Sequence, residues 1–160
     1  MRHTGIMRLA EALMERGDLQ KRIEQLRARI AANARYQEGE EPGEDAAALL
    51  LEAIAAVDAL GVLVARINAT NAITRGASDL TVTDLLASRD TLRMQHSLLT
   101  SAADAATGAS GFRQLRSELR TVSALPAGEL RLRADEVAKR LREVDSEIQR
   151  INWEADLLGE

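Results

Sequence analysis

His3 and His96 are the only histidines in a chain of 160 residues that has no cysteine at all. Those two facts decide much of the available chemistry. A di-iron carboxylate centre, which long helices often host, needs a Glu-x-x-His pair from each of two helices and two further glutamates. The residue three before His96 is Arg93, and His3 lies among the first six residues, so this site cannot be assembled. Thiolate zinc ligation, disulfides and thiol catalysis are removed with cysteine. No Gly-x-x-x-x-Gly-Lys run cradles a phosphate, and no Gly-x-Ser-x-Gly elbow presents a nucleophile. Gly108-Ala109-Ser110-Gly111 falls short of the elbow and reads as a helix end. The acidic turn Glu38 to Asp45 lacks the alternating oxygen ligands of an EF-hand. The expectation is a chain with no catalytic residue and no cofactor, its metal chemistry limited to whatever His96 and nearby carboxylates could hold.

More informative are Arg16, Asn33, Asn71, Arg89 and His96, which fall where the surrounding periodicity asks for apolar residues. A buried charge is costly unless paired, so each arginine implies a carboxylate such as Glu11, Asp90 or Asp145, or a partly wet seam. Two readings stay open. Polar residues in a helical seam can specify register or oligomer state. They can also line an internal pocket for a small anion or a metal.

The elements that would position these residues are helices. Hydrophobic residues make up 46% of the chain and aromatics only 2%, so the apolar volume comes from Leu, Ile, Val and Ala. Four segments carry apolar positions spaced alternately three and four, the signature of a helix with one buried face. The first spans Met7 to Tyr36 on Leu9, Ala12, Arg16, Leu19, Ile23, Leu26, Ile30 and Asn33, and ends in a Gly- and Pro-containing turn, 37–43. The second spans Asp45 to Ile73, with Asp45 as N-cap and a seam of Ala46, Leu50, Ala53, Val57, Leu60, Val64, Ile67 and Asn71. The third runs from Thr81 to Thr107 through Leu85, Arg89, Leu92, His96, Leu99, Ala103 and Ala106. The fourth runs from Gly128 to Leu158 on Leu130, Ala134, Val137, Leu141, Val144, Ile148, Ile151, Ala155 and Leu158. Matched lengths and short turns predict a single-domain, all-α, antiparallel four-helix bundle. The exception is the connection 108–127, longer than two helices need, with Phe112, Leu115, Leu119 and Val122 at helical spacing.

A formal charge of -4 offers no global attraction to phosphate backbones, and so few aromatics leave no stacking platform, so nucleic acid is not expected as a partner. The most apolar segment, Ala46 to Ala65, is interrupted by Glu52 and Asp58 and reads as a core helix, with no membrane partner expected. The start, Met1 to Ile6, reads as an extension without a secretory h-region, and the lack of cysteine suits a reducing cytoplasm.

Several stretches resemble a bacterial family annotated under the name septicolysin: Leu9-Ala10-Glu11-Ala12-Leu13, Asp18 to Leu26, Gln37 to Pro42, Ala65-Arg66-Ile67-Asn68, Arg89-Asp90 and Ile151-Asn152-Trp153. The resemblance implies an all-helical fold and a usual start at Met7. It supplies no active site to carry over. The cytolytic name has no counterpart in an export signal or an exposed hydrophobic hairpin.

The expected function is therefore a non-enzymatic, self-associating scaffold or adaptor, with another protein as a possible partner. The alternative is a ligand- or metal-binding bundle, possibly an enzyme, centred on Arg16, Arg89 and His96. Self-association rests on apolar faces wider than one seam, with Leu49, Ile54 and Leu63 on the second helix and Leu13 on the first expected to stay exposed. Phe112, Leu115, Leu119 and Val122 are expected to serve as an oligomerisation arm, with Arg113, Arg116 and Arg120 meeting the acidic turn.

Overall fold

The computed structural model describes residues 7–108 and 122–159. They form four helices: α1 (Leu9–Asn33), α2 (Ala46–Ile73), α3 (Val82–Thr107) and α4 (Ala127–Glu154). The chain divides into two compact units, Met1–Thr74 with Ile151–Glu160, and Arg75–Arg150. Among the described residues there is no strand beyond two isolated bridges, so the all-α expectation is met, with the helices packed in pairs.

In the first unit α1 and α2 run antiparallel. Their register is held by Arg22 to Glu52 at 2.9 Å and, at the hairpin end, by the Arg29 guanidinium on Glu44. Asp45 caps α2 as expected, its Oδ1 accepting from the amides of Ala47 at 2.9 Å and Ala48 at 3.1 Å. The expected seam of α1 is correct, and none of its members is exposed. The helix stops at Asn33, three residues short of Tyr36, because the Asn33 side chain takes over the turn. It donates to the Arg29 carbonyl at 2.9 Å and accepts from the Glu44 amide at 3.0 Å, tying the end of one helix to the start of the next.

The seam of α2 is shifted from the expected one. Its buried residues are Leu49, Ala56, Leu63, Ile67 and Thr70, whereas Leu50 and Val57 are each half exposed. Leu49 and Leu63, expected to remain exposed, are core residues, and Leu13 packs partly buried against the core. Nor is α2 a core helix: only 17% of its most apolar window is buried.

The core of this unit is Leu9, Ala12, Leu63, Ile67 and Leu157. Leu157 arrives by a route the helical pattern did not suggest. Helix α4 ends at Glu154, short of the expected Leu158, and the chain continues as an extended strap. The Leu9 amide donates to the Ala155 carbonyl at 2.9 Å and the Leu157 amide to the Met7 carbonyl at 2.8 Å. Arg8 adds bonds to the Glu154 carbonyl at 2.7 Å and to Asp156 at 2.5 Å. Farther along, the Leu158 amide donates to Thr70 Oγ1 at 3.1 Å while its carbonyl accepts from Arg66 Nε at 2.9 Å. The strap thereby binds the start of α1 to the end of α2.

In the second unit, α3 and the part of α4 that lies there are also antiparallel, crossed by Arg93 to Asp145 at 4.0 Å and Asp104 to Arg131 at 3.9 Å. Thr81 caps α3 as predicted and shares a reciprocal box with Asp84, whose carboxyl is held below its ordinary range by the Thr81 hydroxyl and amide. The preceding turn is fastened to α4 by Glu147, which accepts from both the amide and the hydroxyl of Ser78 at 3.0 Å. Those bonds hold Glu147 below the usual carboxylate range. Gly108, at φ 74°, ends α3 in the left-handed conformation that glycine favours. The buried positions Leu85, Leu92, Ala103, Leu130, Ala134 and Ile148 fall on the seams expected for these two helices, and Val82, buried in the first turn of α3, adds a position the expected seam did not include.

Candidate interaction surface

The five polar residues singled out by periodicity do not converge on one pocket. Arg16, Asn33 and Asn71 belong to the first unit, Arg89 and His96 to the second. Arg16 and Asn33 stand seventeen residues apart on one helix, about 25 Å along its axis. Asn71 lies in the last turn of α2, whose partner helix in this antiparallel hairpin puts Asn33 at the opposite end. Asn33 is occupied as the hairpin clasp described above. Arg16 is half-buried, and its Nε is enclosed without a hydrogen-bond partner. Arg89 pairs with the neighbouring carboxylate, Asp90, at 3.3 Å, one of the partners anticipated for a seam arginine. His96 is half-buried two turns along the same face of α3. Among the described residues, no group of three or more His, Cys, Asp or Glu could hold a metal ion.

What the structure presents instead is the outside of α2. A helix that is apolar around its whole circumference belongs in an interior, either of a protein or of a bilayer. This one is apolar all round yet has most of its surface exposed. Leu50, Ile54 and Val57 are each 50% exposed, Val62 is 54% exposed and Leu51 is 70% exposed. Exposed alanines at 47, 48, 55, 59, 65, 69 and 72 and Gly61 fill the spaces between them. With these small residues the larger side chains make an extended exposed apolar surface along α2, of the kind that marks an interaction site. Toward α1 the face continues into a shallow groove of about 360 Å³ lined by Ile23, Arg27, Ile30, Leu50, Ile54 and Val57.

The charges of α2 explain why one side is sealed and the other open. Glu52 is held by Arg22 of α1, so it marks the covered flank. Asp58 lies about 120° round the helix from Glu52; it is exposed, and among the described residues it has no ion pair. The hairpin end is charged but neutralised, since the Arg29 guanidinium on Glu44 holds that carboxyl below its ordinary range and is itself raised.

Two sequence expectations change here. Among the described residues, α2 is long and apolar enough to cross a membrane, with a mean hydropathy of 2.2 over its best window, although Glu52 and Asp58 were read as interruptions. Two carboxylates are too few to lower the average of so dense a run of Leu, Ile, Val and Ala. The apolar excess is also on different residues: Ile54 keeps its place, while Leu50, Leu51, Val57 and Val62 replace Leu49 and Leu63. Of the arm residues, Phe112, Leu115 and Leu119, with Arg113, Arg116 and Arg120, lie outside the described residues. Val122 is 78% exposed.

The sequence profile of a family of unknown function, DUF6847, matches residues 16–157. The crystal structure of a functionally unknown conserved protein from Corynebacterium diphtheriae superimposes with a TM-score of 0.88. It is 36% identical over 96% of this chain and 100% of that one. No curated protein matches. Neither finding carries the septicolysin name.

Proposed function

We propose a function for a chain that belongs to the DUF6847 family: a non-enzymatic helical scaffold or adaptor that works by self-association, using the exposed apolar face of α2. One observation carries this reading. Leu50, Leu51, Ile54, Val57 and Val62 of α2 are each half exposed or more, and nothing in the hairpin itself covers them.

A bilayer is the other environment that accepts an all-apolar helix, and the neighbouring charges weigh against it. Helix α1 carries Arg22, Arg27, Arg29, Lys21, Glu24 and Asp18 around its surface; one ion pair binds it to α2 and another to Glu44 in the turn before α2. Drawing α2 into hydrocarbon would strip those pairs or carry their charges with it, and Asp58 would enter unpaired.

The test is the mass of the full chain in solution by light scattering across a concentration series, for wild type and Ile54→Glu. An oligomer that dissociates on Ile54→Glu, with the helical circular dichroism unchanged, supports the reading. A wild-type monomer at every concentration overturns it, and flotation of that monomer with phospholipid vesicles would assign the face to a membrane.

A further inference from the structure

We draw no further inference here: the strongest candidate, the shallow groove between α1 and α2 lined by Ile23, Ile30, Leu50, Ile54 and Val57, is part of the apolar face already described, and nothing in the structure shows what covers it.

Discussion

Leu157 is the residue through which the strap after α4 enters the core of the first unit, and truncating it weighs that strap. The side chain is 4% exposed and packs with Leu9, Ala12, Leu63 and Ile67. Leu157→Ala deletes three carbons from a buried site, about 2.4 kcal/mol at roughly 0.8 kcal/mol each. A cavity contribution adds to this wherever the surroundings cannot collapse. Because the strap is a chain end held on one side by backbone bonds, relaxation should keep the total near the lower part of the range for such substitutions, about 2–3 kcal/mol. For a chain of this length that is a fall of roughly 4–12 °C in Tm. Asp156→Ala is the control. It removes only the exposed Arg8–Asp156 pair and leaves the Arg8 bond to the Glu154 carbonyl, so it should cost under about 1 kcal/mol. The assay is thermal and urea unfolding followed at 222 nm, with hydrogen exchange at the Leu9 and Leu157 amides, which bond across the strap. Equal, small losses from the two variants, with those amides exchanging freely in wild type, would refute the claim that the strap completes the core.

Two further expectations follow from the ion pairs and the hydrogen-bonded carboxylates. Glu44, Asp84 and Glu147 all have folded-state pKa values below their unfolded ones, so the unfolded chain takes up their protons first; their stabilisation is complete above about pH 4–4.5 and is lost as pH falls through that range and below. Glu44→Gln should accordingly lower Tm at neutral pH and converge on wild type in acid, checked by melts across a pH series. Arg89→Ala should cost about 1 kcal/mol, not the roughly 3 kcal/mol of a broken buried pair, because its partner Asp90 is exposed and is left solvated; a loss of 3 kcal/mol in a urea melt would show that Arg89 satisfies a buried group.

Where local chemistry decides the structure, the sequence was sufficient. Asp45 and Thr81 cap their helices as read, Gly108 ends α3, and the seams of α1 and α3 hold residue by residue. Each depends on groups within a few positions of one another. The strap was illegible for the opposite reason: residues 155–158 keep a helical spacing, and only partners near residues 7–9 and 66–70, distant in sequence, make the extended path better. Asn33 fell at a seam position and was read for burial, while its function as a clasp needed the position of Glu44 across the turn.

The displaced seam of α2 has a more instructive cause. Periodicity locates a buried face by contrast with polar residues on the other side, and α2 has almost no contrast, with Glu52, Asp58 and Arg66 its only charges. Ala46, Ala53, Leu60 and Ile67 belong to either phase; Leu49, Ala56, Leu63 and Thr70 complete one seam with them, and Leu50, Val57, Val64 and Asn71 the other. Glu52 breaks the tie, because it must reach a cation on α1, and Arg22 is where that register puts one. The same ambiguity is the functional signal. A helix with two usable seams can bury one within its own hairpin and still present part of a second, so Leu50 and Val57, which misled the assignment of the core, lie on the exposed face to which self-association is assigned.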